Sequence, residues 1–426
     1  MSKYTLQHEP EPQSNGVPAG GKLAKREAAL IKFKDKIADV HKASHDDYVL
    51  HKWLKARAYD VDKAADMYRT SMAYRQKMGV DRLTAEYQPP EVLKKYLTGG
   101  FCGHDKEGSP VRVELYGHLD MKGLMYSAKK VDLEKTKLLQ CENTLKDWQE
   151  ESKKRGKRVD GLTVIFDMEG VSSKMLWRPG LQMYLHLVKV LEDNYPEMMK
   201  RMFVVNAPRI FPLLYKLARP LISEDMKNKI HVLGGHFKDT LLQYIDAEEL
   251  PVYLGGVKTD PDGNPRCATM ICPGGEVPRE YFLQDKDNED QLEVATVPRG
   301  DKLCLPYEVT KPGSVLRWEF KTEDFDIGFG VQLLREGVKE TVRATERVNS
   351  HIVPEDGSVT CHKTGTYEVV FDNAFSWARG KRVQYMVEVI GPVDEGMHSE
   401  IKHMLTENTD LAWESNANSK DESTTL

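Results

Sequence analysis

The chain has no apolar run approaching the roughly 18 residues that a membrane-crossing helix needs. Its opening stretch, MSKYTLQHEPEPQSNGVPAGGKLAK, lacks the greasy core of a secretory signal. A water-soluble protein that meets membranes from outside is therefore expected. Cysteine is sparse: the six residues are dispersed, and the nearest pair, Cys267 and Cys272, has no neighbouring histidine. Neither a zinc site nor a disulfide framework is expected, which fits a reducing cytoplasm. Charge of one sign is lacking too. With 61 Lys and Arg against 66 Asp and Glu, the net charge of -5 gives no electrostatic basis for binding nucleic acid.

Catalytic signatures are also absent. There is no GxSxG elbow, HExxH helix, kinase motif set or strand-linked GxGxxG. Residues 16–22 match the spacing GxxxxGK, but Leu23 stands where a metal-binding hydroxyl is needed and no strand precedes it. Asp260, Asp262 and Asn264 imitate the start of a calcium loop, as do Asp285, Asp287 and Glu289. Pro265 and Asp290 replace the glycine such a loop needs, so both stretches read as solvated acidic loops. Gly328 and Gly330 lie in a strand pattern and read as a packing device. No metal, cofactor or enzymatic activity is expected, and the absences point to binding.

The patterns that are present divide the chain. Residues 1–22 are rich in Pro, Gly, Gln and Glu and read as a disordered tail. Residues 23–90 read as a helical bundle: Ser44 is the expected N-cap of one helix, with Leu50, Trp53, Leu54 and Arg57 on one face, and Asp60 starts the next. Across 91–258 strands and helices alternate, with strands at 111–115, 162–167, 202–205 and 230–233, as in an α/β layer with a mostly parallel sheet. Turn formers crowd 259–282, a linker. Residues 283–391 carry strand patterns at 303–307, 315–320, 327–334, 365–371 and 382–390, the signature of an all-β sandwich. A polar tail, 392–426, holds a short helical pattern at 400–405.

One crossover is unusually apolar. Between the strands at 202–205 and 230–233, Ile210, Leu214, Leu217 and Leu221 recur at helical spacing, and Phe211, Leu213 and Ile222 widen the stripe. Pro212 suits a first turn, whereas Pro220 cannot continue a helix. Such a segment can be a plain packed crossover or a hinged lid over a cavity. The lid has a physical use, because moving a chain of about a dozen methylenes from bilayer to water costs roughly 10 kcal/mol. A cavity that opens at the bilayer and closes in water removes much of that cost.

The stretches WLKARAYDVDKAADMY, QPPEVLKKYLTGG, FDMEG, EDNYPEMMKRMFVVNAPRIFP, ARPLISEDMKNKIHVLGG and ELPVYLGG together resemble the CRAL-TRIO lipid-binding module. VPRGDKLCLPYEV, PGSVLRWEF, FDIGFGV and HIVPEDGSVTCHKTGTYEVVFDNAFSW resemble a GOLD domain, and the order of the two is similar to the tocopherol-associated, supernatant-protein-factor and retinal-binding branch. The resemblance implies a cytoplasmic carrier, transiently at membranes, of one hydrophobic ligand of the tocopherol, squalene, retinaldehyde or phospholipid class. Its gate helix would include Phe211, Leu214, Leu217, Pro220 and Leu221. The alternative it leaves is a lipid-sensing adaptor that recruits a protein partner through the GOLD-like domain. Matching the headgroup set of phosphatidylinositol-transferring relatives places Arg57, Ala58, Glu197 and Lys229 at the polar end. Ala58 removes a cation there, which counts against phosphatidylinositol. Arg112 stands on a strand where relatives often carry an aromatic; it either faces solvent or modifies the pocket.

Overall fold

The computed structural model describes residues 19–222, 224–283, 292–335, 337–394 and 396–397. Of the expected disordered tail, 1–22, residues 1–18 lie outside the described residues, as do the acidic triplet at 285–289 and the helical pattern at 400–405; residues 19–22 are helical and open α1. Two compact units are formed, one by residues 1–81 with 192–197 and one by residues 82–191 with 198–426.

The first unit holds helices α1 (Ala19–Lys36), α2 (Asp47–Lys55) and α3 (Val61–Met78). They bury Phe33, Trp53 and Tyr68, whose rings meet edge to face at 5.9 Å for Phe33 and 5.0 Å for Trp53 against Tyr68. The Tyr68 hydroxyl accepts a hydrogen bond from the Lys42 backbone N–H at 3.0 Å, so its polar tip is satisfied inside an apolar core. Asp60 caps α3, accepting from the Lys63 N–H, and Gly79 ends it in the left-handed conformation. The cap of α2 is Asp46, not Ser44. The Asp46 carboxylate accepts from the Val49 N–H at 3.0 Å, three residues on, a position Ser44 cannot reach without lengthening the helix.

The second unit begins with α4 (Leu83–Glu86), α5 (Glu91–Tyr96), β1 (Gly100–His104), β2 (Pro110–Leu115), α6 (Met121–Ser127), α7 (Lys130–Arg155), β3 (Leu162–Asp167), α8 (Arg178–Asn194) and β4 (Met199–Val205). It continues with α9 (Phe211–Ala218), α10 (Glu224–Lys227), β5 (Ile230–Val232) and α11 (Phe237–Tyr244). The five strands lie side by side in sequence order; β1 and β2 pair antiparallel, and every later pair is parallel. Because side chains alternate along a strand, the sheet separates two cores. Val111, Val113, Ile165, Phe203 and Val205 face one, with Phe237 and Leu241 of α11. Val204, Ile230 and Val232 face the other, with Leu133, Leu187, Phe211 and Leu214. The loop after α11 corrects one expectation: Asp260 is buried and accepts hydrogen bonds from the Thr269 N–H and hydroxyl, so it pins a turn instead of meeting water.

Two antiparallel four-stranded sheets follow, with orders β10-β9-β12-β7 and β11-β8-β13-β6. They are built from β6 (Glu293–Val297), β7 (Lys302–Val309), β8 (Ser314–Thr322), β9 (Ile327–Arg335), β10 (Val338–Val348), β11 (Glu355–Cys361), β12 (Gly365–Asp372) and β13 (Lys381–Ile390). Their inner faces share one core in which Phe320, Phe329 and Phe371 meet at 4.5 to 5.5 Å. Gly328 and Gly330 serve packing: a Cβ on either would fall 2.8 Å from Asp372 Cβ or 2.4 Å from Thr345 Oγ1. Strands β1, β6, β10 and β11 have no clean apolar alternation, because each lies at a sheet edge.

Exchanging Asp46 for Ala should cost α2 about 1 kcal/mol, read as a several-fold acceleration of amide exchange along the helix. Ser44→Ala is exposed and should leave that exchange unchanged; equal effects of the two substitutions would contradict the cap.

Candidate functional site

The apolar crossover folds as the proline positions require. Pro212 sits in the first turn of α9, where its missing N–H would have had no partner anyway. The helix stops at Ala218, and a 3-10 turn, Arg219–Leu221, carries Pro220. Phe211, Leu213, Leu214 and Tyr215 are buried, Leu217 and Ile222 partly so, and all but the polar tip of Tyr215 are apolar surface laid on the second core. Lys216 points the other way along the segment. Its ammonium donates to the backbone carbonyls of Gly391 and Pro392 at 2.8 and 2.9 Å, directly after β13. Val315 of β8 and Ile390 of β13 pack into the same core as α9. The sandwich is tied further by Arg317, which donates to the Leu176 carbonyl at 2.6 Å, and by Lys122, which pairs with Asp356.

On the α9 face of the sheet burial is incomplete. Phe166 and Met202 lie on central strands and Met183 and Tyr184 on α8, yet all four keep accessible surface. Glu114 and Lys137 keep some as well, 21% and 13% of their side chains. At one corner of this face Arg112 and Glu114, two residues apart and so on one face of β2, meet Lys137 of α7.

The corner is tightly coupled. Arg112 Nε donates to Glu114 Oε1 at 2.6 Å, and Lys137 Nζ donates to the same oxygen at 3.2 Å. The guanidinium lies 5.2 Å from the centre of the Phe101 ring. Burial opposes ionisation of Glu114, but the Arg112 and Lys137 cations outweigh it and hold the carboxyl below its ordinary value. Burial dominates at Lys137 and lowers its ammonium from the usual lysine range, with Glu114 opposing. Tyr184 is pushed well above the ordinary tyrosine value by burial, with Glu114 adding to the shift. Arg112 thus does not face solvent. Sequence alone passed over Glu114 and Lys137; the available signal was a charged pair spaced by two within a strand otherwise apolar on both sides.

The remaining expected residues are engaged elsewhere. In the first unit, Glu197 is held in the left-handed conformation and its carboxylate pairs with Lys55 at 2.7 Å. Arg57 Nη2 lies 4.0 Å from Asp193, and Ala58 has a φ of 50°. In the second unit, Lys229 pairs with Asp225 at 2.6 Å. Pro220 is exposed, while Leu221 is described only in its backbone. Among the described residues no group of acidic, histidine or cysteine side chains is placed to hold a metal, and no helix is long and apolar enough to cross a membrane.

The α/β unit thus has its sheet covered by helices on both faces, with the short proline-bounded α9 on one of them. Residues 94–256 match the CRAL/TRIO domain model, and the chain contains that domain. Protein real-time of Aedes aegypti is 33% identical over 323 residues, covering 72% of this chain and 49% of its own length. A CRAL-TRIO domain-containing protein of Caenorhabditis elegans is 32% identical over 329 residues, covering 74% of this chain and 44% of its own. The chain thus spans about half the length of these curated relatives. The crystal structure of Sfh5 aligns at a TM-score of 0.46 and 16% identity, over 59% of this chain and 92% of that one, a likeness too slight to bear on function.

Removing Glu114 leaves two enclosed cations without their shared carboxylate, so Glu114→Gln should destabilise the protein by about 3–5 kcal/mol at neutral pH. The folded-state pKa of Glu114 is depressed, so its stabilisation is present above the unfolded value, roughly 4.3. It is lost as pH falls through the folded value. The gap between variant and wild type in denaturant titrations should therefore shrink in acid, and a gap independent of pH would contradict the charged cluster.

Proposed function

We propose that the chain is a carrier that holds one hydrophobic molecule against the α9 face of its sheet and exchanges it at membranes, with α9 and its 3-10 extension as the moving gate. The observation that carries this reading is the accessible apolar surface of Phe166, Met183 and Met202 beneath a helix that two prolines keep short. The CRAL/TRIO match supports it. A hinge between Ala218 and Ile222 has few backbone hydrogen bonds to break, and Lys216, bound to the carbonyls after β13, acts as the latch of the closed state. Tocopherol, squalene, retinaldehyde and phospholipid classes all suit an apolar container. An inositol phosphate suits it least, since Ala58 brings no charge and Arg57, Glu197 and Lys229 each already face a charged partner. Nothing in the chemistry of the container calls for a reaction, so the ligand leaves unchanged.

The alternative, an adaptor that binds lipid and recruits a partner, is favoured by one feature of the sandwich. Trp377 is 87% exposed, and Phe325 and Phe375 are exposed beside it in the strand-connecting loops, with Arg347 and Arg379 against the two phenylalanine rings. Amphipathic aromatics of this kind settle at membrane interfaces. In the carrier reading they bring the protein to the bilayer; in the adaptor reading they hold it there.

Organic extraction of gently purified protein followed by mass spectrometry should yield one class of lipophilic molecule, unaltered. Leu217→Asp, at a partly exposed position of α9, should slow transfer between vesicles about tenfold or more by placing a charge on the surface that must enter the bilayer. Lys216→Met should speed it. Transfer at the wild-type rate in both variants, with ligand content unchanged, would remove the gate from the carrier reading. Trp377→Ala should weaken cosedimentation with vesicles while ligand content stays the same, and an adaptor would show lipid binding with no acceleration of exchange at all.

A further inference from the structure

We infer that the seam between the sandwich and the α/β layer is an acid-tightened joint, controlled by a proton on Glu319, and that through this joint pH sets how firmly α9 is held. The meaning of a firmly or loosely held α9 rests on the carrier reading above; the joint itself does not.

The seam is built on the outer face of the sheet β11-β8-β13-β6. Side chains alternate along β8, so Leu316, Trp318 and Phe320 enter the sandwich core while Val315, Arg317 and Glu319 point the opposite way. That outer face is nevertheless buried, with Arg317 and Glu319 each only 6% exposed. Val315 reaches the core beneath α9 and Arg317 reaches the Leu176 carbonyl, so the α/β layer is what covers the strand.

The charges in the seam balance in number but not in place. The α/β layer brings Lys122 of α6 and Arg178 of α8, and the sandwich brings Arg317, Glu319, Asp356 and Glu388. Lys122 pairs with Asp356 and donates to the Pro354 carbonyl. Arg317 pairs with Glu388 as well as bonding the Leu176 carbonyl, and Arg178 lies 3.8 Å from the same Glu388. Lys321, two residues further along β8, has a contact of its own. Each cation thus already has a partner, and none among the described residues pairs with Glu319.

Strand register adds a second difficulty for this carboxylate. Opposite Glu319 stands Met386 on β13 and Asp356 on β11, and like charges directly opposite each other in a sheet repel. The Trp177 indole N–H faces Glu319 but makes no full hydrogen bond. Burial raises Glu319 above the ordinary carboxylate value and Asp356 adds to the rise, with Trp177, Lys122 and Arg317 opposing. In the unfolded chain a glutamate titrates at roughly 4.3. Below that value Glu319 is neutral in both states and the seam carries no penalty; the penalty enters as pH rises through the higher folded value. Acid therefore tightens the joint, the reverse of its effect on a carboxylate held by a cation.

The rest of the seam leaves room for movement. Arg317 Nε and the Ser358 hydroxyl, on residues opposite each other in β8 and β11, are buried without a partner. A void of about 10 Å³, space for a single water, lies among Leu176, Arg317, Asp356 and Met386. A polar and incompletely bonded contact between two layers permits relative motion, where a large apolar one would not. Val315 and Ile390 pack under α9 from the same two strands, and Gly391 and Pro392 accept from Lys216. Loosening at Glu319 thus reaches α9 along β8 and β13.

The test is amide exchange of the full chain at neutral pH and at about pH 5, just above the unfolded value, with each rate normalised to its intrinsic rate. In the wild type β8, β11 and α9 should be several-fold better protected at the lower pH. Glu319→Gln, neutral and of the same shape, should show the higher protection at both. Asp356→Asn, which removes the opposing carboxylate and frees Lys122 for Glu319, should also lose the pH-dependence and is the second probe. Equal protection of β8 and β11 at the two pH values in the wild type, or the same pH-dependence in Glu319→Gln, would overturn the joint. A pH effect on β8 and β11 that does not extend to α9 would overturn the control of α9. The expected exchange pattern in a protein that yields no lipophilic molecule on extraction would overturn the carrier reading and leave the joint standing.

Discussion

The second unit depends on a largely parallel sheet that must be covered on both faces, because its central strands β3 and β4 project apolar residues up and down. One face solves this with a permanent cover: Phe237 and Leu241 of α11, together with Leu250 and Leu254, make a fully packed layer. The other face is covered by α7, α8 and α9, and α9 is only eight residues long. A helix of two turns has little stability of its own, so its position is set by what it lies on and by what ties it down.

The ties come from an unexpected direction. The carbonyls that receive the Lys216 ammonium belong to the segment leaving β13, and Val315 and Ile390 from the sandwich complete the core under the helix. Arg317, by a bond to the Leu176 carbonyl, and Lys122, by its pair with Asp356 and a bond to the Pro354 carbonyl, fasten the sandwich to the α/β layer. The sandwich thereby helps to bury the core beneath α9.

Much of this was legible in residue patterns. LTVIFD became β3 over its whole length, and the alternation of Val383, Tyr385 and Val387 became the inner face of β13. Pro212 and Pro220 marked where α9 starts and stops, since the constraint that proline places on a helix is local and independent of the fold. The edge strands β1 and β10 were not legible, because an edge needs no apolar alternation to pair on one side. Ser44 was read as a cap that Asp46 in fact provides; either side chain can cap, and the choice is made by where the helix begins once Leu50, Trp53 and Leu54 are buried.

Periodicity, proline placement and turn chemistry act over a few residues, and through them the sequence by itself determined the order of helical, α/β and β segments, the length of α9 and the apolar character of what it covers. The tertiary structure decided which charges share that interior. Arg112 and Glu114 are neighbours on one strand, but Lys137 reaches them from 23 residues away in the chain, by a helix packed across the sheet. Whether a charge is compensated depends on every element that surrounds it, and spacing along the chain does not record that.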